Sequence, residues 1–214
     1  MNRDLHAFRQ NYEKGALLIA DISDDPIAQF ATWYKEIEED GGVKEPNAMT
    51  LATLGEDGFP KSRIVLLKEY DQEGFVFYTN YESEKGMSMA KHPQVGLSFF
   101  WPSMERQVVI KGNVRKVSSE RSDHYFNARP KDSQLGALVS NQSTVIESRQ
   151  VIEDRMTTLK AKYANEDITR PSHWGGYLVT PVSVEFWQGR PSRLHDRIRY
   201  RWDGKQWMKE RLAP

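Results

Sequence analysis

The stretch Val184-Glu185-Phe186-Trp187-Gln188-Gly189-Arg190-Pro191-Ser192-Arg193-Leu194-His195-Asp196-Arg197 (VEFWQGRPSRLHDR) reads as two strands around one Gly/Pro/Ser turn. Side chains on a strand alternate between faces. If Arg193–Arg197 is extended, Arg193, His195 and Arg197 share one face and Leu194 takes the other. Two guanidiniums flanking an imidazole suit a planar, anionic ligand. A solvated basic edge strand, whose charges deter edge-to-edge pairing, accounts for the same spacing. The hairpin alone leaves both readings open.

Short strands recur through the rest of the chain. Upstream, Met49–Leu54, Lys61–Lys68 and Phe75–Thr79 are separated by the turns Gly55-Glu56-Asp57-Gly58 and Asp71-Gln72-Glu73-Gly74, which predicts an antiparallel meander. Gln94–Trp101 and Arg106–Val117 follow, so at least five sequential strands point to a closed or nearly closed barrel. Tyr177–Thr180, Val182–Gln188, Arg193–Trp202 and Gln206–Arg211 complete the strands. Helices are expected at five places. Asp24-Asp25-Pro26 opens one with Ile27, Phe30, Ala31, Tyr34 and Ile37 at helical spacing, closed by Gly41-Gly42. Ser83 caps a second from Glu84 to about Lys91, and Ser118/Ser119 cap a third through Arg129. Beyond Pro130 comes a short helix with Leu135, Ala137 and Leu138. Thr144 to Glu147 has capping-box spacing and predicts a longer helix to about Tyr163. No repeat or linker divides the chain, so one α+β domain over 1–214 is expected, with residues 1–20 a short helix or mobile arm.

Bulk properties narrow the function. Lys+Arg 30 against Asp+Glu 30 gives no net charge, which argues against a dedicated nucleic-acid binder. From Arg190 onward there are eight Lys/Arg and three Asp/Glu, so a local anion site stays possible. Cysteine is absent, and the five histidines show no metal-ligand spacing, so no metal site is expected. There is no signal-type N-terminus and no apolar run of membrane-spanning length, which predicts a cytoplasmic protein without membrane contact. Dinucleotide, Walker and nucleophile-elbow motifs are all missing.

Anion-type sites remain. Ser83-Glu84-Lys85 opens a helix where free amides favour phosphate. Tyr125 and Arg129 are four apart on one helix face, and Ser133 lies just past Pro130, so the three make a reasonable phosphate pocket. Ordinary capping and surface charge explain each of these singly. Arg63 and Lys68 bracket Ile64-Val65-Leu66-Leu67 at an odd spacing, so a regular strand sends them to opposite faces.

With those residues in view, the chain resembles the pyridoxine/pyridoxamine 5′-phosphate oxidase family. Val184-Glu185-Phe186-Trp187-Gln188, four residues, then Arg193-Leu194-His195-Asp196-Arg197 matches that family's signature. Arg63–Lys68, Phe77–Asn80, Glu105-Arg106-Gln107, Arg129–Gln134, Ser140–Ser143 and the terminal Arg211-Leu212-Ala213-Pro214 match in the same order. The resemblance implies an α+β split β-barrel homodimer with FMN between subunits. It implies FMN contacts from Arg63, Ile64, Val65, Leu66, Leu67, Lys68, Tyr78, Thr79, Lys85, Gln107, Gln142, Ser143, Trp187 and Arg197. Lys68, Tyr125, Arg129 and Ser133 would hold the substrate phosphate, and Arg193 and His195 would lie against the pyridine ring. Arg9 and Tyr12 match a segment that closes over the substrate in relatives. Arg193, His195 and Arg197 are the implied catalytic set.

The implied reaction oxidises pyridoxine or pyridoxamine 5′-phosphate to pyridoxal 5′-phosphate, with O₂ as acceptor and hydrogen peroxide as product. Two departures stand out. Glu84 occupies a place where relatives usually carry Arg, and Leu17-Leu18-Ile19-Ala20 is apolar where some relatives are basic. The rival readings are a flavin reductase-like enzyme on the same barrel and a carrier that binds FMN or pyridoxal phosphate without turnover.

Overall fold

The structure, a computed structural model, describes residues 3–214; the first two residues of the arm expected over 1–20 lie outside the described residues. Its helices are α1 (Pro26–Asp40), α2 (Glu84–Lys91), α3 (Ser119–Ala128), α4 (Lys131–Val139) and α5 (Gln150–Lys162). The strands are β1 (Ala48–Leu54), β2 (Pro60–Leu66), β3 (Glu69–Asp71), β4 (Gly74–Asn80), β5 (Gln94–Trp101), β6 (Arg106–Lys116), β7 (Trp174–Gln188), β8 (Asp196–Trp202) and β9 (Trp207–Leu212). They hydrogen-bond in the order β2-β1-β5-β6-β7-β4-β3, with β8 beside β7 and β9 beside β8. The chain separates into two compact units. One combines the N-terminal segment through Thr50 with Gly96–Lys111 and Pro181–Pro214; the other combines Leu51–Val95 with Gly112–Thr180.

In the first unit, α1 forms where the sequence places it. The Asp25 carboxylate accepts the Ile27 N–H at 2.8 Å, Pro26 sits at the first turn, and Gly41 closes the helix at φ 65°. Its inward stripe is Ile27, Phe30, Trp33 and Ile37, all buried. Phe30 meets Phe99 at 5.2 Å between ring centres, while Trp33 stands edge-on to Phe186 at 5.1 Å. Burying each such ring is worth ~1.5–3 kcal/mol. Arg106 anchors the same helix: its guanidinium lies 4.4 Å over the Trp33 ring, pairs with Glu36 and donates to Gln188 at 2.9 Å. The hairpin β7–β8 is in register Trp187↔Arg197 and Val184↔Tyr200.

In the second unit, β4 pairs antiparallel with the first half of β7, from Phe75↔Val179 to Asn80↔Trp174. Residues 174–179 are buried throughout, the pattern of a strand covered on both faces. Phe126, Leu135, Ala137, Ile168 and Trp174 form a compact apolar cluster that seats α3 and α4.

Three sequence expectations need correction. Tyr177–Thr180 and Val182–Gln188 are one strand, because Pro181 forgoes its N–H without breaking β7. The helix expected from Thr144 begins at Gln150, and Arg149 gives it no side-chain cap. Instead Thr144 turns back: its N–H and hydroxyl both donate to the Asn141 carbonyl, after Ser143 at φ 74°. Finally, the strand expected from Arg193 begins at Asp196. Pro191–Arg193 form a single 3₁₀ turn closed by the Leu194 N–H on the Pro191 carbonyl, with Ser192 and Arg193 left-handed at φ 57° and 62°. Strand alternation therefore does not place Arg193 and His195 on a common face with Arg197.

Candidate functional site

In the second unit a cavity of about 630 Å³ gathers residues from β2, β4, α2, α3 and α4. Of the residues singled out in the sequence, Ile64, Val65, Leu66, Lys68, Tyr78, Thr79, Lys85, Tyr125, Arg129, Ser133 and Gln142 all line it. β2 ends at Leu66, so Lys68 escapes the alternation that would oppose it to Arg63; its N–H bonds the Val76 carbonyl beside β4. Three singled-out residues of this unit fall outside the lining. Leu67 is a core side chain, and Ser143 is exposed in the left-handed turn. Arg63 donates to Thr53 Oγ1 at 2.7 Å and to the Leu51 carbonyl at 3.3 Å.

One part of the cavity lining is built on the first turn of α2. Ser83 caps that turn by accepting the Gly86 N–H. Lys85 is buried, with its ammonium 2.9 Å from Gln142 Oε1 and 3.2 Å from Ser83 Oγ. Burial, and then the nearby Arg63 charge, bring its pKa down to about 8. Glu84 pairs with Lys61 at 2.5 Å at the surface, and its charge only partly offsets the lowering of the Lys85 pKa by burial and Arg63.

Another part of the lining is aromatic and cationic. Tyr78, Tyr125 and Trp174 are nearly parallel, the first two with ring centres 3.9 Å apart. Arg129 lies over the Trp174 ring at 4.5 Å, half-buried, and its Nη1 is a buried donor without a partner among the described residues. Burial lowers its pKa. Gln134 fixes the corner by donating to the carbonyls of Phe126, Asn127 and Arg129 at 3.0–3.3 Å. A desolvated guanidinium with a free donor is a site made for an oxyanion.

Sequence reasoning missed Trp174, Glu69 and Asn80. Trp174 is the platform for Arg129, and the Gly175-Gly176 pair after it was the available signal. A Cβ at Gly175 would lie 2.2 Å from the Tyr81 hydroxyl, and one at Gly176 2.7 Å from the Tyr78 ring. Glu69 takes the Tyr78 hydroxyl at 2.6 Å, so Tyr78 offers the cavity its ring. Asn80 lines the same wall, its Oδ1 accepting the Glu82 N–H at 2.7 Å.

The first unit holds the remaining candidates. Trp187 and His195 are 4.6 Å apart between ring centres, and Tyr12 packs on both at 5.8 and 5.9 Å. His195 Nδ1 accepts the Arg190 N–H at 3.1 Å, which leaves the neutral ring's proton on Nε2. Its pKa is lowered by burial and by Arg193. Arg193 sits on the strained turn, a backbone state that persists only where surrounding contacts enforce it. Arg197 donates to Glu185 at 2.7 Å and to the Ala213 carbonyl at 2.9 Å. Gln107 donates to Ser98 Oγ at 3.1 Å, and Arg9 is exposed.

Known proteins bear on these groups. Residues 35–163 match the family model described as pyridoxamine 5′-phosphate oxidase, and 174–214 match the pyridoxine 5′-phosphate oxidase C-terminal dimerisation region. The chain is 54% identical over 213 residues to the pyridoxine/pyridoxamine 5′-phosphate oxidase of Flavobacterium psychrophilum, covering 99% of this chain and 100% of that one. It is 55% identical over 211 residues to the enzyme of that name from Flavobacterium johnsoniae, covering 98% and 99%. Among solved structures, PhzG from Burkholderia lata, in complex with tetrahydrophenazine-1-carboxylic acid, superposes with a TM-score of 0.87 at 26% identity, over 94% of this chain and 100% of that one. A pyridoxamine 5′-phosphate oxidase-related, FMN-binding protein from Nostoc punctiforme shares the fold, with a TM-score of 0.70 at 16% identity over 89% and 98%. The α+β split-barrel class expected from the sequence is thereby borne out. With two family regions matched in order and more than half the residues shared with full-length relatives, the chain belongs to the pyridoxamine 5′-phosphate oxidase family.

Proposed function

We propose that the protein oxidises pyridoxine 5′-phosphate and pyridoxamine 5′-phosphate to pyridoxal 5′-phosphate, using FMN and passing the electrons to O₂ with release of H₂O₂. The observation that carries this reading is one cavity lined by two buried or half-buried cations with different partners, Lys85 beside Gln142 and Arg129 over Trp174. A cofactor and a substrate that each bear a phosphate need two such cationic groups. The donors fit FMN: a buried ammonium beside Gln142 and Thr79 at a capped helix start, with Arg63 close enough to depress Lys85. When bound, FMN supplies a two-electron acceptor for hydride from the substrate C4′.

Everything else is orientation by the chain. Arg63–Lys68, Tyr78, Thr79, Lys85, Gln107, Gln142, Ser143, Trp187 and Arg197 are assigned to FMN. Lys68, Tyr125, Arg129 and Ser133 are assigned to the substrate phosphate. Arg193 and His195 are assigned to the pyridine ring, with Arg9 and Tyr12 on the closing segment. Neither phosphate reacts, so binding it serves to aim the reacting carbon. His195 with its proton on Nε2 presents a neutral donor, and Arg193 and Arg197 favour anionic, electron-rich species. The matched dimerisation region supports a homodimer; FMN is assigned to the subunit interface, with 1–214 acting as one functional domain in the cytoplasm.

Adding pyridoxine 5′-phosphate anaerobically to the yellow flavoprotein is expected to bleach the flavin, and admitting air to restore it with peroxide. A flavin that stays oxidised overturns the reading; binding without bleaching identifies a carrier.

Lys85 adds a pH signature. With the free-protein pKa near 8, the ammonium is intact at pH 7 and mostly neutral by pH 9.5. A bound phosphate favours the charged form, so binding above pH 8 requires proton uptake and weakens as pH rises, by about tenfold between pH 8 and 9.5. Lys85→Arg, which keeps its charge over this range, is expected to flatten the profile. Flavin fluorescence titration measures both, and a parent affinity independent of pH would remove Lys85 from the phosphate site.

A further inference from the structure

Arg190 sits between Gly189 and Pro191, outside the matched signature positions, yet three contacts converge on it. Its guanidinium donates to the Gly15 carbonyl at 2.9 Å and approaches Asp196 at 3.6 Å. Its backbone N–H is the one that fixes His195 Nδ1. Asp196 in turn accepts the Leu17 N–H at 3.1 Å. The N-terminal segment is thus tied at Gly15 and at Leu17 to the loop that carries His195. Further ties are the Lys14 N–H on Glu105 Oε2 at 3.0 Å, the Lys14 ammonium on the Ser103 carbonyl at 2.5 Å and Arg211 on the Leu17 carbonyl at 2.8 Å. Tyr12, just upstream, lies against Gly189 so closely that a Cβ there would come within 2.8 Å of its ring. The same ring packs on Trp187 and His195.

We propose that Arg190 is a positioning residue that couples the seating of Tyr12–Leu17 to the tautomer and ring orientation of His195. The two events share one side chain. When Gly15 is held, the Arg190 backbone is fixed beside Asp196, and its N–H stays aimed at His195 Nδ1. When Gly15 is released, the Arg190 backbone loses that anchor next to a turn that already carries two left-handed non-glycine residues. The imidazole then loses its defined acceptor role, and Tyr12 its place on the ring. The relevance of His195 to turnover rests on the function proposed above, but the coupling itself does not.

The test compares the flavin-loaded parent, Arg190→Ala and Arg190→Lys. Losing one charge-assisted bond should expose the Lys14–Gly15 bond to trypsin about tenfold faster in Arg190→Ala. Arg190→Lys, which retains a cation within reach of Gly15, should recover most of the protection. Nitrogen NMR of histidine-labelled protein should show one His195 tautomer in the parent and a mixture in Arg190→Ala. KM for pyridoxine 5′-phosphate should rise about tenfold, with kcat changing much less, as a loss of ground-state and transition-state binding alike. Parent-like cleavage in Arg190→Ala overturns the proposal, as does faster cleavage with His195 left in a single tautomer. A parent that turns over no substrate sinks the functional reading while leaving the cleavage and NMR outcomes to decide the coupling.

Discussion

Arg129→Ala is expected to lower kcat/KM for pyridoxine 5′-phosphate by 10²–10³-fold, almost entirely through KM. Charge-assisted bonds to a phosphate contribute ~1.5–3 kcal/mol each, and two parallel ones lost together give ~3–4 kcal/mol. Arg129 can offer two because its plane lies on Trp174 and its Nη1 has no partner among the described residues to abandon. The guanidinium is already half-buried, so part of its desolvation cost is met before the phosphate binds. The phosphate it would hold does not react, so the lost energy is common to ground state and transition state and falls on KM. Arg129→Lys should recover only part, since an ammonium neither stacks on an indole face nor presents a planar fork. Steady-state kinetics with pyridoxine 5′-phosphate and with unphosphorylated pyridoxine check this directly. The deficit should vanish for pyridoxine, and an equal deficit for both would mean that Arg129 acts through the fold.

Local rules carried the elements but not the cavity. α1 is legible in full because its signals are covalent neighbours: Asp25 as cap, Pro26 at the first turn, Gly41 at the end. Tyr125 and Arg129 were legible as a pair from their i, i+4 spacing, and both line the cavity although α3 ends at Ala128 and Arg129 is its extended C-cap. Trp174, which makes Arg129 an anion site, is 45 residues further along the chain, beyond the reach of any periodicity. Glu69 is similar: nothing local says that it will take the Tyr78 hydroxyl and leave only the ring for the cavity. The loop after Gln188 was misread for a different reason. Arg193 to Arg197 alternates as a strand should, but Pro191 and the left-handed Ser192 and Arg193 close a turn there instead. The family signature survived that error, because it rests on residue identity rather than on which face each side chain takes. Glu84 is the converse case: the sequence marks it only as a departure from the Arg usual in relatives, and its surface partner Lys61, 23 residues upstream, follows from no local spacing.

Gly86→Ala should cost ~3 kcal/mol or more of stability, the upper range for forced overpacking. In an open helix the same change would stabilise by ~0.5–1 kcal/mol, because alanine is the better helix former. Here the added Cβ would lie 2.0 Å from the Tyr81 carbonyl oxygen, 2.5 Å from its carbon and 2.8 Å from its Cα. All three are backbone atoms of the turn leading into α2, so no rotamer change relieves the contact, and the first turn of the helix must move. For a chain of this length, 3 kcal/mol corresponds to a fall of about 6–12 °C in Tm. The same displacement carries Ser83 and Lys85 away from Gln142, so flavin affinity should drop even at temperatures where the variant stays folded. Gly136→Ala in α4, where nothing lies within 4 Å of the added Cβ, is the control and should be neutral or slightly stabilising. Calorimetry of both variants, with flavin titration at 20 °C, makes the comparison. A Gly86→Ala protein as stable as Gly136→Ala would mean that α2 is free to shift against Tyr81, and that Lys85 is not held in place by the packing of its own helix.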